Sequence, residues 1–278
     1  MASLVTFNEI LPQARKDGRA VGAFNVANLE TVLSVFRAAE HEKSPIIIQV
    51  YQRLFNDERA ELIAAMTARL VARSDIPVAL HLDHGTSVEQ IRKAIDIGYT
   101  SVMIDGSQLS FADNIALTSE AVKVAHQAGV TIEAEIGHVP FGDGEIELST
   151  AAEAVEFVEK TGVDALAISI GTAHGFYKKE PVLDIERAAE IGRRVAIPLV
   201  LHGGTGVPEN QLKKAIGCGV AKINIATELQ NMFLRGVAQE LDKNGDKFKP
   251  LDLYFKPVEE KIIEFVSGKI RAFSEGGC

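Results

Sequence analysis

Cysteine is nearly absent from the chain. Cys218 and Cys278 are the only two, and neither has a paired or CxxC spacing. That excludes a disulfide framework and leads us to expect a reducing, cytoplasmic setting. Tryptophan is missing altogether, and aromatic residues make up only 6%. Basic residues are in deficit, 29 against 38 acidic ones, for a net charge of −9 without any basic cluster. Such a surface repels phosphate backbones, so nucleic acid is excluded as a partner. No apolar run approaches a bilayer's thickness and no basic-then-apolar leader opens the chain, so no membrane partner is expected either. Low-complexity linkers and internal repeats are also lacking. Residues 1–278 therefore read as a single domain, a length that α/β barrels commonly reach.

What is present is a strict alternation. Hydrophobic residues amount to 46%, enough for a large core. Short apolar runs recur at Ala20–Asn25, Pro45–Val50, Ile76–Leu80, Ser101–Asp105, Thr131–Ile136, Ala165–Ile170, Pro198–Leu201 and Ala221–Ile225. Between them lie segments with helical spacing, such as Leu29, Val32, Leu33 and Phe36. Glycines at 98, 129, 162 and 219 stand just before strands, where left-handed helix caps belong. Proline precedes strands two, three and seven, where a missing N–H is tolerated. Eight strand–helix alternations predict a (β/α)8 TIM barrel with aliphatic strand interiors. A short amphipathic helix is expected within residues 1–18. Val258, Ile262, Val266, Ile270 and Phe273 predict an appended C-terminal helix, either an interface or a cap on the barrel floor.

Polar residues gather where the strands end: Asn25, Asp83, His84, Asp105, Glu135, His174, His202 and Asn224. In such barrels those ends carry the chemistry. His84, His174 and His202 each follow a different strand, which suits a three-histidine metal site with an open coordination position. Zinc leads, with cobalt, manganese or iron as alternatives. Asp83, next to His84, is placed to move a proton on a substrate hydroxyl beside the metal, or else to orient a histidine. His81 reads as a support or substrate contact. Asp105 and Glu135 read as supports or as an auxiliary cation site. Gly203-Gly204-Thr205-Gly206 and Asn224-Ile225-Ala226-Thr227 follow strands seven and eight, the usual phosphate pocket of these barrels, with Thr227 adding a hydroxyl donor. Lys178 is a candidate phosphate charge or a solvated lysine. The loop 137–147 reads as a lid carrying Asp143 and Glu145 as candidate acid or base.

These stretches, together with Glu133-Ala134-Glu135-Ile136-Gly137 and Gly171-Thr172-Ala173-His174-Gly175, resemble the class II, zinc-dependent ketose-bisphosphate aldolases of the fructose- and tagatose-bisphosphate type. The resemblance runs nearly end to end. It implies that His84, His174 and His202 hold Zn²⁺ and that Asp83 exchanges the C4 hydroxyl proton during aldol cleavage. Gly175, Gly203, Gly204, Thr205, Asn224, Ile225, Ala226 and Thr227 would then hold dihydroxyacetone phosphate, with a monovalent cation, Na⁺ or K⁺, near the phosphate in many members. A phosphorylated sugar is the implied partner, and a homodimer or homotetramer the implied assembly.

Four departures bear on the substrate. The lid reads Val139-Pro140-Phe141-Gly142-Asp143-Gly144-Glu145, without the family's usual Gly-Gly-x-Glu-Asp-like pattern. Ala226 stands where fructose-type members carry Asp, which is tagatose-like, and Gln230 stands where an Arg reaches the distal phosphate. Tyr51 replaces a small Ser or Gly. The implied reaction is release of dihydroxyacetone phosphate from a ketose 1-phosphate or 1,6-bisphosphate, tagatose-like before fructose-like. The alternatives are a sugar acid or longer ketose phosphate without a distal phosphate, and a non-catalytic barrel subunit of an aldolase complex.

Overall fold

The apolar runs become parallel strands that pair in chain order and close on themselves. They are β1 (Val21–Asn25), β2 (Ile46–Tyr51), β3 (Val78–Gly85), β4 (Ser101–Ile104), β5 (Thr131–Ile136), β6 (Ala165–Ile168), β7 (Leu199–Leu201) and β8 (Val220–Ile225). β8 pairs back onto β1, with Ala23 opposite Asn224. The structure is a computed structural model that describes residues 3–142, 144–245 and 247–274. Cys278 and Asp143 fall outside the described residues.

Helices α1 (Phe7–Lys16), α2 (Leu29–Glu42), α3 (Arg59–Val71), α4 (Val88–Asp96), α5 (Phe111–Gln127), α6 (Ala151–Thr161), α7 (Ile185–Arg194), α8 (Glu209–Gly217), α9 (Thr227–Asn244) and α10 (Leu251–Phe273) alternate with the strands or flank them. Side chains of Asn28, Ser87, Ser110, Thr150 and Asp184 cap five of them, each accepting a first-turn N–H. Gly98, Gly129, Gly162 and Gly219 all adopt positive φ where a helix gives way to the next strand. β2, β3 and β7 begin directly after Pro45, Pro77 and Pro198. The N-terminal helix is shorter than its segment and holds Pro12 within it.

The barrel floor is closed by α1. Its Phe7, Ile10, Leu11 and Ala14 pack against Ala23, Ile47, Ala79 and Val200 inside the strands. The C-terminal helix α10 instead lies on the outer wall against α2 and α9, burying the five apolar residues expected of it. Above the floor the interior departs from the aliphatic expectation. Gln49, His81, Ser101, Glu133 and Lys222 are all fully buried there. They alternate with outward-facing residues such as Ile48, Leu82, Ile132 and Ile223, so the strand period of two directs them inward. Among the described residues no helix is long and apolar enough to cross a membrane.

Candidate active site

The site is set by an irregularity at the end of β3. Consecutive strand residues normally face opposite ways, so Asp83 and His84 would not share a site on a regular strand. The β3–β4 pairing shifts between Leu82 and Gly85, with one extra residue on β3, and His84 takes a left-handed φ of 55°. A bulge re-aims side chains in this way. The left-handed backbone costs on the order of 1–3 kcal/mol, which the surrounding barrel must offset. Gly85 follows because a side-chain carbon there would lie 2.5 Å from the Met103 carbonyl oxygen.

His84, His174 and His202 converge, with one ring nitrogen from each within 4.8 Å of the others. For His84 and His202 the converging atoms are identified by what occupies the far side of the ring. His84 Nδ1 is 2.7 Å from Asp105 Oδ2, and His202 Nε2 is 2.8 Å from Glu133 Oε1. That leaves His84 Nε2, His174 Nε2 and His202 Nδ1 buried without a hydrogen-bond partner. Three orphaned nitrogens facing one another are unfavourable in a dry interior. A divalent cation satisfies all three, and this donor set suits zinc. Glu135 Oε2 lies 2.8 Å from His202 Nδ1 but out of line for a hydrogen bond.

The charge balance points the same way. Burial lowers the His202 pKa, but the hydrogen bond to Glu133 and the charge of Glu135 outweigh it, and the group is pushed up to about 10. The two carboxylates thus call for positive charge at that ring. His174 lacks such partners, and burial, with the neighbouring His84 and His202, brings it down to about 3. Burial raises Asp105, but the hydrogen bond and charge of His84 hold it well below the usual carboxylate range.

Asp83 is clamped as an acceptor. Asn25 Nδ2 donates to its Oδ2 at 2.7 Å, and Asn224 Nδ2 donates to its Oδ1 at 3.3 Å. The orientation of each amide is itself held. Gln49 Nε2 donates to Asn25 Oδ1 at 2.6 Å, and the Lys222 ammonium donates to Asn224 Oδ1 at 2.7 Å. Lys222 Nζ is also 2.9 Å from Glu133 Oε2. One buried cation therefore fixes the amide that faces Asp83 and balances the carboxylate that orients His202. Burial raises the Asp83 pKa, but the charges of His84 and Lys222 outweigh it and hold it below its ordinary value.

The cavity above is lined by Asn25, Asp83, His84 and His174, by Gly175, Gly203 and Thr205, and by Asn224, Ala226 and Thr227. The N-terminus of α9, starting at Thr227, opens there, and Glu228 N–H donates to the Thr205 hydroxyl. Gly203 has φ +64°, and a methyl on it would overlap the Ala173 carbonyl. Tyr177 ties the two loops together, its hydroxyl accepting from Ala173 N–H and donating to the Gly203 carbonyl.

Other expected residues lie elsewhere. Gly204 and Ile225 line no part of the cavity; the Gly204 N–H donates to the Asn224 carbonyl. Lys178 and Glu145 are exposed outside the lining. His81 is buried beneath the cavity, 3.0 Å from the Ser101 hydroxyl and stacked on Phe7. It does not line the cavity. Residues that sequence reasoning passed over are Glu133, Lys222, Gln49, Phe141 and Arg53. The first two carried a signal, because each stands two residues before a predicted site residue, Glu135 and Asn224, on the same strand face. Phe141 packs over the His174 ring, centroids 4.9 Å apart, and with Tyr51, Arg53 and Gln230 completes the cavity wall.

Comparison with known proteins agrees with this geometry. The family described as fructose-bisphosphate aldolase class-II matches residues 5–277. A probable fructose-bisphosphate aldolase of Bacillus subtilis strain 168 is 42% identical over 281 residues, covering 97% of each chain. A fructose-bisphosphate aldolase of Staphylococcus aureus strain Mu50 is 42% identical over 279 residues, again 97% of each. Among solved structures, the YdjI aldolase from Escherichia coli K12 superposes with a TM-score of 0.87 at 34% identity, over 99% of this chain and 98% of that one. With its closed barrel, its three converging histidines and near full-length matches on both grounds, the chain belongs to the class II fructose-bisphosphate aldolase family and is a carbon–carbon lyase.

Proposed function

We propose that this aldolase carries out zinc-dependent, reversible cleavage of a ketose 1-phosphate or 1,6-bisphosphate, of tagatose type before fructose type, to dihydroxyacetone phosphate and an aldehyde. The observation that carries the reading is the set of three orphaned nitrogens, His84 Nε2, His174 Nε2 and His202 Nδ1, beside a carboxylate clamped by two amides. These nitrogens would hold zinc. Bound there, it would supply positive charge to offset the negative charge that develops as C3–C4 breaks.

Asp83 takes the C4 hydroxyl proton in cleavage and returns it in condensation. Asn25 and Asn224 keep it aimed. Asp105 and Glu133 fix which nitrogen His84 and His202 present. Gly175, Gly203, Thr205 and the start of α9 at Thr227 offer N–H and hydroxyl donors to the phosphate of the dihydroxyacetone half, with a monovalent cation, Na⁺ or K⁺, beside it. Ala226 lines the cavity where the fructose-type aldolases that the chain resembles carry Asp, and that resemblance is the basis for preferring tagatose-type substrates. Gln230 on the same wall supports a second reading, a ketose phosphate or sugar-acid phosphate without a distal phosphate. The intact clamp around Asp83 argues against a non-catalytic subunit.

Cleavage of fructose 1,6-bisphosphate, tagatose 1,6-bisphosphate and a series of ketose 1-phosphates, with and without a chelator, tests the proposal. Chelator-sensitive release of dihydroxyacetone phosphate is the expected result. Its absence from zinc-loaded enzyme with every substrate refutes it.

A further inference from the structure

Arg53 projects from the single 3-10 turn (Gln52–Asn56) that follows β2, and it lines the active cavity. It is the only lysine or arginine among the described residues that do so. It pairs with no carboxylate among the described residues; its recorded contact is the Tyr51 ring, with the guanidinium carbon 4.8 Å from the centroid. Tyr51 in turn stands directly opposite Asp83 in the β2–β3 register, and its ring centroid is 6.0 Å from that of His84. A free guanidinium is thus held on an aromatic face one strand away from the acid–base carboxylate.

Its position relative to the other sites gives it a meaning. The phosphate cradle is built from the turns after β7 and β8, while Asp83 stands on β3. A substrate that begins in that cradle and places its C4 hydroxyl at Asp83 has the end of β2, with Tyr51 and Arg53, directly beside that hydroxyl. We infer that Arg53 binds an anionic group, carboxylate or phosphate, at the far end of the aldehyde fragment. The inference rests on the aldolase reading of this cavity. A planar guanidinium forks onto either anion with two parallel N–H donors, and stacking on Tyr51 orients the fork before substrate arrives. Gln230, elsewhere on the wall, offers only a neutral amide. The charge that recognises the aldehyde half therefore comes from the β2 turn.

The experiment runs in the condensation direction. Zinc-loaded enzyme receives dihydroxyacetone phosphate with one of three aldehydes: glyceraldehyde, its 3-phosphate, or the hydroxyaldehyde of the same length ending in a carboxylate. The readout is the ratio of kcat/KM for each anionic aldehyde to that for the neutral one. At least one ratio is expected to be about 10–100 in the wild type, the range for one hydrogen bond to a charged group. Which anion shows it separates phosphate from carboxylate. Arg53→Gln should bring that ratio to near 1 through KM, and Arg53→Lys should keep part of it. A wild-type ratio near 1 for both anions, or a ratio unchanged in Arg53→Gln, overturns the assignment. Exchange of solvent deuterium into C3 of dihydroxyacetone phosphate by the wild type separates the two failures. Exchange with no anion preference sinks Arg53 alone, whereas absence of both exchange and condensation sinks the aldolase reading and the inference with it.

Discussion

Replacing Lys222 by methionine removes the cation at the centre of the buried network and leaves its volume nearly filled. Lys222 and Glu133 are both fully buried, 2.9 Å apart, and no solvent can take over either charge. Methionine follows the lysine stem closely and opens no large void. What it leaves is a desolvated Glu133 carboxylate with only His202 as a hydrogen-bonded partner. Breaking one side of a buried pair costs about 3–5 kcal/mol, and that is the expected loss in urea unfolding, seen as a lower midpoint with an unchanged slope. A second effect is local. Asn224 Oδ1 loses its donor, so nothing fixes the amide that points N–H at Asp83, and kcat should fall about 10-fold for one weakened hydrogen bond. Lys222→Met combined with Glu133→Gln removes the stranded charge and should recover part of the stability. A loss below about 1 kcal/mol in the single variant, or strictly additive losses in the double, would show that Lys222 is not what stabilises Glu133.

Four shorter predictions concern the site. His84→Ala should lose bound zinc and activity together; zinc retained at one per chain in elemental analysis removes it from the ligand set. Asp83→Ala should keep the fold and the zinc but drop kcat by about 10²–10⁴, the range for a lost acid–base group, and near-native turnover contradicts the role. Asp105→Ala frees His84 Nδ1 and should weaken zinc binding about 10–100-fold, read by competition with a chromophoric chelator. Gly203→Ala forces a side chain into positive φ and onto the Ala173 carbonyl next to His174. A rise in KM for dihydroxyacetone phosphate is expected, and an unchanged KM refutes the view that this turn shapes the phosphate cradle.

Much of this protein was legible in the chain because the signals are local. Apolar runs of strand length, prolines before Ile46, Val78 and Leu199, and left-handed glycines at helix ends declare eight units without reference to one another. Histidines and carboxylates just past those runs declare the catalytic end, since a barrel puts every strand terminus on one rim. Three things needed the closed barrel. Which nitrogen His84 and His202 present depends on Asp105, just past β4, and Glu133, on β5. That Asp83 and His84 share a site depends on the bulge against β4, a matter of pairing register and not of composition. Glu133 and Lys222 are 89 residues apart in sequence, and each alone reads as a surface charge. Only when β5 and β8 curve into one cylinder do they meet without water, and there each charge becomes the reason the other is tolerated.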